Sequence, residues 1–347
     1  MSKKTFGKYA ALAIGSICLI AVLVTLLLSS TAKSSKKKTE GGVVSEEWQA
    51  PAPMNILIVG NDRAAHLSDV LMLLRVDFAQ NRAFVLQIPR DTYAAFTDGS
   101  HRKMNAAVRQ LGGEEKLCEF LSASFGISVD RYVSLDLDLL SRVVDAIGGV
   151  EVDIPEAMDY EDPAQGLSIH LPAGKQILDG ESAEHFVRYR AGYVRGDLGR
   201  MDAQKIFLSA FLKRCRDSMD ILTATQMATL LLPELKTNLS VSETVRLCEA
   251  FFSVKEESIE MLTLPGEDAV AEKSGAWYYV VSAPAANEVL ARYFGASEHA
   301  FDPEGLFRNE RYDSFCRIYD EYRAYEVYSA ESVENGGVEI EKTGTGY

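Results

Sequence analysis

The sequence is poor in the residues that usually build transition-metal sites. It contains only five histidines and five cysteines, and it has no Cys-x-x-Cys pair or Cys/His cluster. Zinc sites take three or four protein ligands, mostly from these two residue types. We therefore expect neither a zinc site nor another histidine-based metal site.

Acidic residues are absent from the first 39 positions, which contain seven of the 36 basic residues. The rest of the chain has 29 basic and 50 acidic residues, a net charge of −21. A field of this sign repels nucleic acids. We expect no nucleic-acid partner, and an anionic substrate would need a local arginine cluster, a metal ion or both.

Charged residues are also missing from residues 10–28, a run of 19 mostly apolar residues. As a helix it would be about 28 Å long, close to the thickness of a bilayer core. A cleavable signal peptide ending near Ala32 is the alternative, but its apolar region would be unusually long. Lysines flank the run on both sides, so charge alone leaves its orientation open. We expect a single-pass membrane anchor, with residues 1–9 in the cytoplasm and the remainder outside.

Four cysteines lie beyond the apolar run, and their neighbours are apolar and helical in pattern. They could form two disulfides in three possible pairings, or remain buried free thiols. These residues are Cys118, Cys215, Cys248 and Cys316.

Beyond a flexible linker at residues 29–53, short apolar runs alternate with helical patterns. Asn55–Gly60, Val70–Val76 and Ala83–Ile88 are typical of strands buried on both faces. Strands interleaved with helices predict an α/β domain over residues 54–295. A polar, aromatic tail follows at residues 296–347. The other predicted strands are Val150–Ile154, Ser258–Leu264 and Trp277–Val281, and the predicted helices are Leu111–Phe125, Leu137–Ile147, Gly180–Tyr189, Gly199–Arg216, Ala224–Leu235, Val241–Val254, Pro284–Phe294 and one near Arg311–Tyr328.

Two aspartates flank the loop between the first two predicted strands. Asp62 follows the first strand and Asp69 precedes the second. Ligands of open α/β sheets gather at the carboxyl ends of strands, and two carboxylates there could share Mg²⁺ with phosphate oxygens. The alternative is that both are solvated turn residues, because aspartate is a common turn former.

Arginines are concentrated in two places that could receive an anion. Arg90 emerges from the third predicted strand, where its planar guanidinium could bind phosphate or pair with Asp91. Lys103 alone resembles an ordinary loop lysine. Four arginines fall within 13 residues of the acidic domain, and Arg200 shares a helical face with Gln204. They form either an anion clamp or a solvated basic face. The four are Arg188, Arg190, Arg195 and Arg200.

These segments together resemble the signature of the LytR-CpsA-Psr family. The matching pieces occur in the family's order over about residues 54–216: NILIVGND, SDVLMLLRVD, IPRDT, KMNAAVRQLGG, VDAIGGVEVDIP, LPAGKQILDGESAEHFVRYR and GDLGRMDAQ. The resemblance implies a three-layer αβα domain with a central mixed sheet, enclosing an apolar tunnel for a polyprenyl tail. One departure is a shortened loop, in which Arg63 directly follows Asp62. Arg63 is therefore not assigned to the site.

The resemblance also implies roles for individual residues. Asp62 and Asp69 match the metal-binding aspartates, with Mg²⁺ or Mn²⁺ as the cofactor, and together with Arg90 they form the expected catalytic set. Lys103 matches a lysine that lines the site. The expected pyrophosphate-binding residues are Arg90, Lys103, Arg188, Arg190, Arg200 and Gln204.

The function implied by the resemblance is transfer of a glycopolymer from undecaprenyl pyrophosphate to peptidoglycan, forming a phosphodiester. Teichoic acid, capsule and other secondary wall polymers all remain possible cargoes. Two alternatives keep the same binding site without this transfer. One is a non-catalytic wall-assembly scaffold that binds the lipid carrier, and the other is a lipid pyrophosphatase. Neither the general base nor the role of residues 296–347 follows from the sequence.

Overall fold

The computed structural model describes residues 51–62, 67–96, 101–162, 167–219, 235–272, 274–297 and 315–338. In these residues, seven strands form a central mixed sheet in the order β11-β6-β1-β2-β3-β12-β15. The predicted α/β class with a central mixed sheet is confirmed. The sheet strands are β1 (Met54–Asp62), β2 (Leu67–Asp77), β3 (Arg82–Gln87), β6 (Arg131–Asp136), β11 (Lys236–Thr237), β12 (Ile259–Thr263) and β15 (Val327–Ser329).

Two-stranded pairs and helices surround this sheet. The pairs are β4 (Tyr93–Ala95) with β5 (His101–Lys103), β7 (Val150–Ile154) with β10 (Gly174–Leu178), β8 (Met158–Asp162) with β9 (Leu167–Leu171), and β13 (Gly266–Val270) with β14 (Trp277–Val281). The helices are α1 (Ala107–Leu111), α2 (Glu114–Phe125), α3 (Leu137–Ala146), α4 (Gly180–Arg188), α5 (Asp197–Ser218), α6 (Val241–Ser253), α7 (Ala283–Phe294), α8 (Cys316–Asp320) and α9 (Ala330–Glu334).

The sheet is buried on both faces, because alternate side chains of each strand enter different cores. Leu57 and Val59 of β1 pack in one core with α2 and α7. Ile56 and Ile58 enter the opposite core, with α5 and α6. β1 is antiparallel to β2 but parallel to β6, and β3 is parallel to β12. The continuous apolar runs of the sequence follow from this double burial.

The predicted helix Leu111–Phe125 is present as α2, which begins three residues later, at Glu114. Leu111 instead ends α1, a short helix that the sequence pattern does not predict. Gly112 and Gly113 separate α1 from α2 with φ angles of 94° and 134°. These angles lie in the region that glycine adopts without a steric penalty. The chain can therefore turn sharply between the two helices.

The helix predicted near Arg311–Tyr328 is much shorter in the described part of the tail. Only Cys316–Asp320 is helical there, and β15 then pairs antiparallel with β12 at the sheet edge. Pairing with a distant strand replaces the predicted local helix. Apart from its final residue, the predicted helix Ala224–Leu235 lies outside the described residues.

Of the four cysteines beyond the apolar run, Cys118 and Cys248 are buried and form no disulfide, whereas Cys215 is disulfide-bonded. Two disulfides among the four are therefore excluded. Burial, helped by nearby carboxylates such as Asp130, raises the pKa of Cys118 to about 12. That thiol is protonated, and hence a poor nucleophile, at neutral pH.

Residues 10–28, the expected membrane anchor, lie outside the described residues. Among the helices that are described, none is both long and apolar enough to cross a bilayer.

Candidate functional site

A β-bulge sets the position of Asp69. Gly60 pairs with Val70 and Asn61 pairs with Ser68, so Asp69 is left without a partner on β1. A bulge re-aims the side chain of its extra residue. Asn61 fixes the neighbourhood, since its amide donates to Ser134 Oγ at 2.8 Å and accepts from Ser68 Oγ at 2.9 Å. The bulge thus holds a carboxylate at the strand end, as predicted for Asp69.

Asp62 is the last residue of β1, where its backbone pairs with Leu67. Its side chain lies outside the described residues, as does Arg63. The predicted pairing of Asp62 with Asp69 at a metal ion stays a prediction.

Arg90 follows β3 and joins two carboxylates. Its Nη1 donates to Asp69 Oδ1 at 2.7 Å, and its Nε lies 3.1 Å from Asp197 Oδ1. Burial alone would lower the pKa of Arg90, but attraction to Asp197 and Asp69 outweighs it and raises the pKa. The predicted local pair with Asp91 is replaced by these two, and the guanidinium is held in one orientation.

Arg200, in the first turn of α5, reaches the carboxylate of Asp197 and the backbone of Asp69. Its Nη2 lies 2.7 Å from Asp197 Oδ1 and 3.4 Å from the backbone oxygen of Asp69. The residue is only 4% exposed, and burial lowers its pKa despite attraction to Asp197. Its buried Nε has no hydrogen-bond acceptor among the described residues. A buried donor of this kind favours an anionic ligand that would accept from it.

Arg188 and Arg190 reach the site because α4 ends between them. Arg188 is the last residue of α4, and Tyr189 is extended, with a ψ of 135°. Arg188 Nη1 donates to Glu184 Oε1 at 2.8 Å, whereas Arg190 is exposed. Two residues that would diverge on a continuous helix therefore both contribute to one cavity.

These side chains surround one cavity, here called the anion pocket, with an empty volume of about 650 Å³. Six predicted site residues line it: Asp69, Arg90, Arg188, Arg190, Arg200 and Gln204. Four arginines against one lining carboxylate give it a local positive charge within an acidic domain. The clustering expected from the sequence is present.

Lys103 does not line the anion pocket. Its Nζ lies 3.0 Å from Asp91 Oδ1 and 5.9 Å from the centre of the Tyr278 ring. Lys103 pairs with Tyr93 across the β4–β5 ladder, and its ammonium is engaged by Asp91, the residue after Arg90. Its expected role in pyrophosphate binding stays a prediction.

A second cavity, the apolar cavity, adjoins the anion pocket. Its empty volume is about 1170 Å³, and Val70, Val187 and Gln204 line both cavities. Strands β1, β2 and β3 form one wall, and α5 and α6 form another. Its remaining lining is almost entirely aliphatic or aromatic, with side chains that include Ile58, Met72, Leu74, Val85, Phe207, Leu208, Leu212, Leu247 and Phe251.

Gln204 lies at the junction of the two cavities. Its Nε2 donates to the backbone oxygen of Val187 at 3.2 Å, and the residue is 7% exposed. It is one turn along α5 from Arg200, on the same face. One helix therefore supplies both a charged and an apolar wall.

Asp197 was missed by sequence reasoning, although it joins the two central arginines. It occupies the first turn of α5, where a carboxylate is favoured by the helix dipole. The acidic residue directly before the helical pattern was the available signal. Its pairing with Arg90 depends on how α5 packs against β3, which the sequence does not reveal.

The donor set near Asp69 is compatible with a hard divalent cation. No group of three or more His, Cys, Asp or Glu side chains is arranged for a metal within the described ranges. Mg²⁺, however, is commonly held by one or two carboxylates, with substrate phosphates and waters completing its shell. Arg90 donates to Oδ1 of Asp69, so a cation bound there would take the other carboxylate oxygen, Oδ2.

Comparisons with known proteins agree with the motifs and the fold described above. A model of the LytR_cpsA_psr family matches residues 22–294. The chain belongs to this family. The family match confirms the resemblance to LytR-CpsA-Psr proteins that the motifs indicate. The matched region contains all the residues that line the two cavities.

Two relatives are informative. TagV of Bacillus subtilis (strain 168), named a polyisoprenyl-teichoic acid–peptidoglycan teichoic acid transferase, is 30% identical over 236 residues. That match spans 65% of this chain and only 60% of the relative. The crystal structure of B. subtilis TagV aligns with a TM-score of 0.61 and 28% identity, covering 71% of this chain and 98% of that one. A structure of TagT bound to LIIa-WTA aligns with a TM-score of 0.57 and 25% identity, covering 70% and 90%.

Proposed function

We propose that this protein transfers a glycopolymer from a polyprenyl-pyrophosphate carrier to peptidoglycan. The observation that carries the proposal is the junction of the anion pocket with the apolar cavity at Gln204. A pyrophosphate joined to a long hydrocarbon tail has the same division of charge and apolar surface. Relatives named as teichoic acid transferases support the same chemistry.

The arginines are suited to phosphoryl transfer, which depends mainly on positioning and on charge stabilisation. Arg90 and Arg200 are held by Asp197, so their guanidinium groups need little reorganisation when charge develops on the phosphate. Arg188 and Arg190, which line the same pocket, would contact the remaining phosphate oxygens. The tail would occupy the apolar cavity, where each buried methylene contributes about 0.8 kcal/mol.

The reaction exchanges one phosphorus–oxygen bond for another. A sugar hydroxyl of peptidoglycan attacks the phosphorus nearer the glycan, the bond to the bridging oxygen breaks, and polyprenyl phosphate leaves. The hydroxyl proton passes to solvent, and a phosphodiester links the glycopolymer to the wall. Asp62 and Asp69 would hold Mg²⁺ or Mn²⁺, which would neutralise pyrophosphate charge. Residues 10–28 would anchor the chain in the membrane where the carrier lipid resides.

The test uses the purified full chain with a synthetic polyprenyl-pyrophosphate glycan and a peptidoglycan oligosaccharide, with and without Mg²⁺. Mass spectrometry would follow both the phosphodiester product and released polyprenyl phosphate. We expect metal-dependent transfer that is lost in Asp69→Ala and retained in Asp153→Ala, a matched change at an exposed aspartate of β7. Release without attachment would indicate a pyrophosphatase instead. Lipid binding without any turnover would indicate a scaffold.

A further inference from the structure

The β13–β14 hairpin is attached directly to the segment that follows Arg90. The backbone N–H of Tyr279 donates to the backbone oxygen of Asp91 at 2.9 Å, and Thr92 forms a parallel bridge with Tyr279. The hairpin therefore borders the side of the anion pocket that carries Arg90. None of the steps described so far uses it.

Alternation gives the hairpin two distinct faces. Glu267 is on the back face, where the tail holds it: Arg323 Nε lies 2.8 Å from its carboxylate, and Arg317 Nη2 lies 3.9 Å away. Asp268 pairs with Tyr279, and Val270 pairs with Trp277. Directly opposed residues of antiparallel strands point to the same side, so these four form the front face.

Exposed apolar surface is concentrated at the outer end of this front face. Trp277 is 63% exposed and Val270 is 42% exposed. At the inner end, by contrast, Tyr279 is buried over Gly266, and its hydroxyl donates to the backbone oxygen of Leu264 at 2.6 Å. Asp268 is two residues before Val270 on β13, so the two residues lie about 7 Å apart along the strand on the same face.

The carboxylate of Asp268 lies within electrostatic range of the anion pocket. Loss of hydration raises its pKa, and repulsion from Asp197 and Asp91 adds to the effect. Asp197 is the residue that joins Arg90 and Arg200. The front face thus runs from an exposed indole to a carboxylate that is close enough to Asp197 to interact with it.

We propose that this front face binds the saccharide acceptor, with a sugar ring against Trp277 and Val270 and its hydroxyls donating to Asp268. The proposal rests on the proposed transferase function, and it names the acceptor's binding site. A pyranose has an apolar C–H face that packs on an indole ring, and carboxylates accept hydrogen bonds from its hydroxyls. The charges around Asp268 are mixed, since Asp197 and Asp91 repel it whereas Arg195 and Lys103 attract it. A mixed field favours no charged group, so the uncharged parts of the acceptor fit best.

A fluorescence titration tests binding separately from turnover. The chain has two tryptophans, Trp48 and Trp277, so Trp48→Phe leaves Trp277 as the single reporter in the full chain. An N-acetylglucosamine–N-acetylmuramic acid tetrasaccharide should shift its emission to shorter wavelength, because the ring leaves water. Asp268→Asn in the same background should weaken the binding of the tetrasaccharide by about tenfold, because one hydrogen bond to a charged group is lost. An unchanged spectrum, or a shift caused by free stem peptide and not by the sugar, would overturn the proposal.

Transfer kinetics give a second test. Trp277→Ala should raise the acceptor KM by about tenfold, the effect of losing about 1.4 kcal/mol of contact. Tyr322→Ala is the matched control, since Tyr322 is a 53% exposed aromatic residue of the tail that binds Glu288 and lies outside both cavities. Equal acceptor KM values in the two variants would contradict the acceptor site. If the wild type transfers nothing while the tetrasaccharide still shifts Trp277, the transferase proposal fails and the saccharide site stands.

Discussion

The anion pocket and the apolar cavity meet on one helix, yet they are built in different ways. The pocket takes its side chains from positions where regular structure ends: the bulge at Asp69, the end of β3 at Arg90 and the end of α4 at Arg188. The cavity takes its side chains from the interiors of β1, β2, α5 and α6. Directional contacts with phosphate need individually aimed donors, whereas a hydrocarbon tail needs only a continuous apolar surface.

Because the two cavities are built differently, the single helix α5 can contact both the charged and the apolar end of one ligand. Its first turns carry Asp197, Arg200 and Gln204, and later turns on the same side carry Leu208 and Leu212. The distance from Arg200 to Leu212 along the axis is about 18 Å at 1.5 Å per residue. Changes at the two ends of α5 should therefore affect different parts of a bound lipid.

The largest effect is expected at the polar end. Arg90→Gln should lower kcat/KM for transfer by about a hundred- to a thousandfold, the usual result of removing one preorganised donor to developing charge. Arg82→Gln is the matched control, because Arg82 begins the strand that leads to Arg90 but pairs with Glu260 and lines neither cavity. Circular dichroism would establish that both variants fold. Equal activity in the two variants would separate Arg90 from the chemistry.

A smaller effect is expected at the apolar end. Leu212→Trp should fill part of the apolar cavity. The binding of a long polyprenyl pyrophosphate should become about ten- to a hundredfold weaker, since roughly two to four methylenes would lose their burial. Inorganic pyrophosphate should bind as before. Lys213→Trp introduces the same residue at a neighbouring position whose side chain is 54% exposed. If Leu212→Trp weakened the binding of both ligands equally, the two ends of α5 would not contact different parts of the lipid, contrary to our account.

The smallest effect concerns the support of the cavity wall. Glu243 caps α6 with Ser240, and Arg131 Nη2 lies 2.6 Å from its carboxylate. The pKa of Glu243 is lowered from 4.5 to about 2, and the main cause is the hydrogen bond from Arg131. Because the folded pKa is depressed, this stabilisation is present above pH 4.5 and is lost as the pH falls toward 2.

Glu243→Gln should therefore lower the melting temperature at pH 7 by about 2–4 °C, as expected for roughly 1 kcal/mol in a domain of this size. The difference from wild type should shrink as the pH is lowered below 4.5. Glu257→Gln is the control, since Glu257 has a 56% exposed side chain and pairs with exposed Lys255. A deficit that persists unchanged at pH 2.5 would show that the ion pair is not its cause.

The sequence predicted the centre of the fold better than its margins. β1, β2, β3 and β14 were recognisable because double burial leaves continuous apolar runs. The pairing of β15 with β12 joins residues more than 60 positions apart, and no local pattern encodes it. α1 was not predicted, because it has only five residues and ends directly before the glycine pair Gly112-Gly113.

The candidate site shows the same division. Asp69, Arg90 and the arginines near α4 were predicted individually, because charged residues at strand ends and in clusters stand out in an acidic domain. Asp197 was missed, since its importance comes from packing α5 against the end of β3. The bulge at Asp69 depends on the register of two strands, which composition does not fix.

The most direct test of the account is calorimetric titration of the full chain with farnesyl pyrophosphate, farnesol and inorganic pyrophosphate. If the anion pocket and the apolar cavity form one continuous site, the joined molecule should bind at least about a hundredfold tighter than either half, because the second contact becomes intramolecular. If farnesyl pyrophosphate binds no tighter than the better of its two halves, the cavities act separately and the account is contradicted.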